Sequence, residues 1–161
     1  MYRKAKNEKD VKYILDNLRS EDVEEAKAIY GENYKEQIFN NIMNTEFYVL
    51  LGLTKNKDIP VVMGGIFEAN PENKSIGIAW LMCTKEVKKH IKCLFKELKT
   101  EIEKADDKFW MTFNFIHKNN KMMKKWLKTV GYKFDNPHPD GVNVPTGFEF
   151  FYRIREVKGI G

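Results

Sequence analysis

The sequence predicts an α/β (mixed α+β) fold with a mixed, mostly antiparallel central sheet of about six to seven strands flanked by helices. Residues 47–83 contain three β-rich runs, which the turn clusters TKNKD and EANPENKS separate. Two of these runs, PVVMGGIFEA and IGIAWLMCT, are apolar almost without alternation, as strands covered on both faces are. Beyond residue 85, helical and strand-like stretches alternate, which indicates strands linked by a helical crossover.

The first quarter of the chain is predicted to be mostly helical after a short edge strand at residues 2–6. Asn7, with Asp10 three residues later, is typical of a helix cap, and an apolar face with helical spacing follows it. Ser20 is predicted to cap a second helix, EDVEEAKAIYG, which Gly31 ends. The third predicted helix is YKEQIFNNIM.

The second half of the chain is predicted to contain two amphipathic helices among buried strands. In the first helix, apolar side chains recur at helical spacing between lysines and glutamates; they are Ile91, Leu94, Phe95, Leu98 and Ile102. The strand FWMTFNFIH follows. The second helix ends at Gly131, and its apolar residues are Met123, Trp126, Leu127 and Val130. YKFDN and GFEFFYRIRE are predicted strands joined by the loop PHPDGVNVP.

Length and composition predict one compact soluble domain, which we assign to residues 1–161. A chain of 161 residues that is 42% hydrophobic can bury one core of ordinary size, and no shift in composition marks a second. No apolar run is long enough for a membrane span, and VKYILDNL is too interrupted by charge for a signal peptide. We therefore expect a cytoplasmic protein without membrane contact.

The charges and the cysteines limit the classes of ligand. The net charge of +5 comes mainly from scattered lysines, which favours anionic ligands in general. Helix-turn-helix and RNP patterns are missing from the sequence and arginines are few, so we do not expect nucleic acid as a partner. Cys83, His90 and Cys93 lack a fourth ligand and the spacing of a zinc site, so no metal is predicted.

The last predicted helix carries a motif, in which Gly131 and Tyr132 follow Asn120 after eleven residues. Together with the order of elements over nearly the whole chain, this motif resembles the GNAT N-acetyltransferase superfamily, where an asparagine opens a helix that ends in Gly-Phe or Gly-Tyr. More narrowly, WLMCT, KKWLKTVGYKF and the closing loop and strand are similar to phage-encoded GNAT-like proteins, which include an internal virion protein of T7-like phages. Taken alone, Asn120 and Gly131 are equally typical of any capped helix.

The resemblance implies acetyl-CoA as cosubstrate, bound where the fourth and fifth strands splay apart, and a small-molecule or peptide primary amine as acceptor. Main-chain groups of the fourth strand would pair with the pantetheine amides, and a helix N-terminus would face the pyrophosphate. The cofactor-binding residues that it implies are Leu81, Met82, Cys83, Thr84, Lys88, Lys89, His90, Asn114 and Asn120.

The sequence departs from the family at the pyrophosphate loop. The superfamily usually has Arg/Gln-x-x-Gly-x-Gly/Ala there, because glycine lets the backbone approach phosphate oxygens closely. This chain has TKEVKKHIKCL, without a glycine. Two explanations stay open: Lys88 and Lys89 replace the backbone amides as phosphate partners, or the site is lost and Thr84 simply caps a longer helix.

The catalytic residues are a further departure. Family members commonly use a carboxylate or histidine to deprotonate the amine and a tyrosine to protonate the thiolate, but Leu127 matches that tyrosine and the fourth strand has no acid. Glu68, His117 and Tyr132 are the remaining candidates. The sequence therefore leaves two hypotheses: an N-acetyltransferase, or a non-catalytic GNAT-like phage or prophage protein that acts through protein contacts and would be virion-associated.

Overall fold

The computed structural model describes residues 2–3, 7–44, 50–53, 59–134 and 143–156, which form five helices and six strands. The helices are α1 (Glu8–Asp16), α2 (Ser20–Tyr30), α3 (Tyr34–Asn44), α4 (Val87–Ala105) and α5 (Lys121–Thr129). The strands are β1 (Tyr2–Arg3), β2 (Leu50–Leu53), β3 (Pro60–Asn70), β4 (Asn73–Cys83), β5 (Met111–His117) and β6 (Phe148–Ile154). Among the described helices, none is long and apolar enough to cross a membrane.

The sheet is mixed, and its strands follow the order β1-β2-β3-β4-β5-β6. β1 and β2, β2 and β3, and β5 and β6 pair antiparallel, whereas β4 and β5 are parallel. The mixed class is thus confirmed, but the strand count falls below the upper expectation. β1 and β2 have only 2 and 4 residues, and the predicted strand YKFDN is reduced, in its described part, to one bridge between Lys133 and Tyr152.

The chain divides into two compact units, each built from two separate segments. Unit 1 comprises Met1–Gly65 and Trp80–Glu97, and unit 2 comprises Ile66–Ala79 and Leu98–Gly161. The assignment of residues 1–161 to one domain stays a prediction.

The core of unit 1 is formed by the first three helices and β3. The predicted cap is confirmed, because the Asn7 side chain accepts the Asp10 N–H at 2.9 Å. Ser20 was wrongly predicted as a cap, since its hydroxyl bonds the Glu21 carboxylate and Arg19 occupies the N-cap position. The buried core residues are Val11, Ile14, Leu15, Leu18, Ala26, Tyr34, Ile38, Ile42 and Met63.

Unit 2 is held together by the antiparallel pairing of β5 with β6, which runs from Met111↔Ile154 to His117↔Phe148. The end of α5 lies against this pair, because Arg153 Nε donates to the Val130 carbonyl at 3.1 Å. The Arg153 guanidinium also forms a bidentate pair with Asp106, just after α4. Gly131 has a φ of 93°, which confirms the predicted glycine stop, since glycine adopts this conformation without strain.

Candidate functional site

The parallel pairing of β4 with β5 ends where the side chain of Asn114 replaces a main-chain hydrogen bond. The register runs through Ile76↔Met111, Gly77↔Thr112 and Ile78↔Phe113, although the strands continue to Cys83 and His117. The next bond of a regular parallel ladder would join the Phe115 N–H to the Ala79 carbonyl. Instead, Asn114 Nδ2 donates to the Ala79 carbonyl at 2.8 Å, and Asn114 Oδ1 accepts the Phe115 N–H at 2.8 Å.

The Asn114 amide is therefore inserted in place of a direct main-chain bond. It satisfies one carbonyl and one N–H while keeping the two backbones further apart than a ladder bond would. The sequence assigned Asn114 to cofactor binding through the resemblance. The structure shows that its side chain acts on the strands themselves, at the point where their pairing ends.

Successive residues of a strand direct their main-chain N–H and C=O groups to opposite edges. Beyond Ala79, therefore, only every second residue of β4 presents these groups on the edge that faces away from β3. The Thr84 N–H donates to the Val61 carbonyl of β3 at 2.8 Å, so Thr84 and Met82 point towards β3. Leu81 and Cys83 point to the other edge. At Cys83 that edge is occupied, because Arg19 N–H donates to its carbonyl at 3.0 Å and Asp22 accepts its N–H.

Leu81 consequently lies between two positions whose outward main-chain groups are engaged, Ala79 and Cys83. The resemblance assigned three residues to pantetheine. Leu81 and Cys83 both direct their main-chain groups to this edge, but only those of Leu81 lie between the two engaged positions. The main-chain groups of Met82 point towards β3 and not towards this edge, and its side chain packs against the core of unit 1. Cys83 is fully buried, and burial raises the pKa of its thiol well above the ordinary value.

Thr84 does not cap α4 with its side chain, which removes the capping role from the second of the two explanations left open by the sequence. Its carbonyl accepts the Val87 N–H at 3.1 Å. Its hydroxyl is buried and has no hydrogen-bond partner among the described residues. The physical reason is the bridge between Thr84 and Leu18, together with the bond to Val61, which hold residue 84 inside unit 1.

The beginning of α4 is basic. Its first turn contains no acid, whereas α1, α2 and α3 each begin with at least one carboxylate. Lys88 and Lys89 are exposed, and Lys89 Nζ pairs with Glu86 at 2.9 Å. His90 is half-buried. Positive side chains at a helix N-terminus oppose the helix dipole, so this arrangement is one that an anion would stabilise.

The three predicted catalytic residues are not brought together. The Tyr132 hydroxyl is buried 2.9 Å from Thr112 Oγ1, and this burial raises the pKa of Tyr132. His117 lies five residues further along β5, which places it about 16 Å away and on the opposite face of the strand. Glu68 pairs with Lys108 at 3.0 Å. Tyr132 and His117 are thus separated by the sheet.

His117 lies at the end of β5 in a mainly structural setting. Its Nδ1 accepts the Asn119 N–H at 3.2 Å, and its ring lies edge-on to Phe148 with centroids 5.3 Å apart. With Nδ1 accepting, the neutral ring carries its proton on Nε2. To act as a base through Nδ1, the side chain would first have to lose the bond to Asn119.

The motif on α5 mostly serves the core. Asn120 is the N-cap residue and is buried, and its side chain makes no capping bond. Leu127, at the position of the family's tyrosine, is also buried. Arg19 and Asp22, which contact Cys83, were not identified from the sequence. The only signal was an arginine and an aspartate three residues apart at a helix start, which is common on protein surfaces.

Comparisons with known proteins establish the fold. No family model and no curated protein matches the chain. Among solved structures it is similar to a GCN5-related N-acetyltransferase from Kribbella flavida, with a TM-score of 0.71, 15% identity and 96% of each chain covered. A ribosomal-protein-alanine N-acetyltransferase from Brucella melitensis matches with a TM-score of 0.62 and 18% identity, covering 96% of this chain and 99% of that chain.

An aminoglycoside 6'-acetyltransferase type Ii has a TM-score of 0.63 and 14% identity, with 99% of each chain covered. Likenesses at such low identity over whole chains show that the protein has the GNAT fold. They confirm the fold that the broad resemblance implied. Nothing in these comparisons supports the narrower resemblance to phage-encoded proteins.

Proposed function

We propose that this chain is an acetyl-CoA-dependent N-acetyltransferase that acts on a primary amine of a small molecule or a peptide. The observation that carries the proposal is the Asn114 insertion, which ends the pairing of β4 with β5 after Ile78 and Phe113. The whole-chain likeness to acetyltransferases of the same fold supports it. Cys83 and Cys93 are free thiols, which suits the cytoplasmic location that we expect.

In this proposal, the main-chain N–H and C=O groups of Leu81 pair with one pantetheine amide. Met82 and Cys83, whose main-chain groups point to β3 or bond to α2, shape that edge without pairing. The basic start of α4 attracts the phosphates, with Lys88, Lys89 and His90 substituting for the backbone amides of a glycine loop. Asn114 maintains the interruption of the ladder, and Asn120 fixes the beginning of α5.

The reaction needs a neutral amine and a proton for the leaving thiolate. The amine nitrogen attacks the thioester carbonyl, a C–N bond forms, the C–S bond breaks, and the sulfur takes up a proton. Glu68 and His117 remain candidates for accepting the amine proton. We propose that Tyr132 supports α5 rather than protonating the thiolate, because its hydroxyl is buried against Thr112.

Binding and transfer are tested separately. Acetyl-CoA should raise the melting temperature by mass action, and release of free thiol should depend on an added amine. Replacing both Lys88 and Lys89 by glutamate should weaken acetyl-CoA binding by about tenfold or more, since it reverses two charges beside the phosphates. The matched control is the same change at Lys92 and Lys96, which are exposed further along α4.

The proposal fails if millimolar acetyl-CoA produces no thermal shift and no amine releases thiol from it. Equal weakening of binding by both charge reversals would remove the specific role of the α4 start and leave only a general effect of net charge.

A second candidate function is a non-catalytic protein of the GNAT fold that acts through protein contacts. Two observations favour it: residues 88–90 contain no glycine, and a buried Leu127 occupies the position of the family's tyrosine. This alternative predicts no stabilisation by acetyl-CoA and the recovery of a stoichiometric partner on purification. The two candidates therefore differ in one thermal-shift measurement.

A further inference from the structure

A buried ion pair at the beginning of α2 contacts the last residue of β4. Arg19 Nε and Asp22 Oδ2 are 2.6 Å apart, and each side chain is only 3% exposed. The Asp22 carboxylate also accepts the Cys83 N–H, and the Arg19 N–H donates to the Cys83 carbonyl at 3.0 Å. Both main-chain groups of Cys83 are therefore bonded to the two residues of the pair. Cys83 begins the junction between β4 and α4, which we define as residues 83–85.

The turn between α1 and α2 holds the rest of this junction. Leu18 and Thr84 form an isolated bridge, and the Lys85 N–H donates to the Asn17 carbonyl at 3.2 Å. The Thr84 carbonyl accepts the N–H of Val87, the first residue of α4. The turn thus determines where β4 ends and where the chain enters α4.

Stability alone does not explain why this pair is buried. Taking two charges out of water is costly, and apolar residues of similar volume often stabilise a protein as well as a buried ion pair or better. The pair is also incompletely bonded, because Arg19 Nη2 is buried without a hydrogen-bond partner among the described residues. Apolar residues, however, could not supply an acceptor for the Cys83 N–H. The pair therefore contributes the position of the junction more than it contributes stability.

The junction connects two parts of the proposed coenzyme site. Leu81 precedes it, and the basic start of α4, with Lys88 and Lys89, follows it. The pantetheine arm and the pyrophosphate belong to one molecule, so both parts must lie at a separation that this molecule can span. A displaced junction would change that separation and weaken binding, although every contact residue would still be present.

We propose that the Arg19–Asp22 pair is a positioning device for the coenzyme, which sets the separation between Leu81 and the start of α4 by holding Cys83. Arg19 keeps the carboxylate in place, and the carboxylate binds the Cys83 N–H. Neither side chain touches the coenzyme, and both act through the junction. The effect on acetyl-CoA rests on the proposed function, whereas the hold on Cys83 does not.

Two double variants separate the hold on Cys83 from the charges of the pair. Arg19→Met with Asp22→Leu, the leucine variant, removes both charges and the acceptor for the Cys83 N–H. Arg19→Met with Asp22→Asn, the asparagine variant, removes the same charges but keeps a side-chain oxygen that accepts this N–H. The matched control is Lys12→Met with Glu8→Leu, because that ion pair on α1 is exposed.

Amide hydrogen exchange without ligand, corrected for intrinsic rates, tests the hold on Cys83. In the wild type, the Cys83 and Lys85 amides should exchange no faster than the amide of Leu15, a core residue of the same unit. In the leucine variant, both should exchange at least about tenfold faster than the Leu15 amide, because the junction opens locally. The asparagine variant and the control should keep the wild-type order of exchange rates.

Binding of acetyl-CoA and of ADP distinguishes a positioning role from a merely stabilising one. ADP carries a pyrophosphate but no pantetheine arm, so its binding does not depend on the separation of the two parts of the site. In the leucine variant, the dissociation constant of acetyl-CoA should rise by about tenfold, and that of ADP by less than about twofold. A pair that only stabilised the fold would change both constants by the same factor.

Wild-type exchange rates at Cys83 in the leucine variant, or a Cys83 amide that exchanges about tenfold faster than that of Leu15 in the wild type, would overturn the hold on the junction. Equal changes in the acetyl-CoA and ADP constants would overturn the positioning role. If the leucine variant does not fold, the asparagine variant decides: its ratio of the two constants should match the wild type, and a tenfold change, on the order of the effect expected above, overturns the role. A wild type that binds no acetyl-CoA refutes the proposed function, while the exchange rates still decide the hold on Cys83.

Discussion

Replacing Asn114 by alanine should reduce stability by a predictable amount. The amide makes two hydrogen bonds of 2.8 Å, to the Ala79 carbonyl and from the Phe115 N–H. Each is worth about 0.5–1.5 kcal/mol net, so losing both costs about 1–3 kcal/mol. In the variant, the Phe115 N–H is able to bond the Ala79 carbonyl directly, which would regain one bond. We therefore expect a net loss of one hydrogen bond, about 0.5–1.5 kcal/mol.

Urea unfolding measures this loss as a shift in midpoint at unchanged slope. Asn119→Ala is the matched control, because Asn119 is exposed and close in sequence, and its effect should stay within about 0.5 kcal/mol. Asn114→Asp keeps an acceptor for the Phe115 N–H but loses the donor to Ala79, so it should be at least as destabilised as the alanine variant near neutral pH.

The same variants test the functional argument. If the Asn114 amide stops the pairing of β4 with β5 from continuing, the strands should pair further in Asn114→Ala. Acetyl-CoA should then bind this variant more weakly than its loss of stability explains. The Phe115 amide should also become better protected from hydrogen exchange. The reasoning is refuted if Asn114→Ala retains wild-type stability, wild-type acetyl-CoA affinity and unchanged protection of Phe115. Such a result would mean that the Asn114 contacts have no influence on the strands.

Three further predictions concern unit 2. Tyr132→Phe leaves the buried Thr112 hydroxyl unsatisfied and should cost about 1–2 kcal/mol in urea unfolding, with the turnover number unchanged; a large fall in turnover at full stability would restore Tyr132 as an acid. Arg153→Met breaks the pair with Asp106 and the bond to the Val130 carbonyl, so we expect a loss of about 2–3 kcal/mol, and a neutral effect would show that the pair is dispensable. Gly131→Ala should cost about 1–2 kcal/mol, because φ is 93° and the added methyl would lie 3.3 Å from Arg153 Nε; the melting temperature reports it, and an unchanged value contradicts the strain.

Local signals in the sequence predicted the parts of the fold that local chemistry determines. Asn7 and Asp10 form the expected cap because both partners lie within one helical turn. Gly131 ends α5 for an equally local reason, its positive φ. Helical periodicity likewise identified α4, whose apolar residues Leu94 and Leu98 are buried.

The remaining features depend on contacts between residues far apart in sequence. Asn114 bonds a carbonyl 35 residues away, and its residue type alone does not distinguish an inserted amide from a ligand contact. An arginine and an aspartate such as Arg19 and Asp22 are ordinary at a helix start, and only the fold brings Cys83 of β4 beside them. A cap at Thr84 was one of two explanations that the sequence left open, because Thr84 precedes a helix, whereas its bridge to Leu18 determines where residue 84 lies.

Fold likeness and site chemistry give different kinds of support, and β4 is where they meet. The likeness to acetyltransferases concerns the whole chain and is equally compatible with an active enzyme and with a protein that has lost its chemistry. The edge of β4 is more discriminating, because its outward main-chain groups are used at Ala79 by Asn114 and at Cys83 by the α2 pair. We therefore expect any coenzyme that pairs with this strand to do so at Leu81.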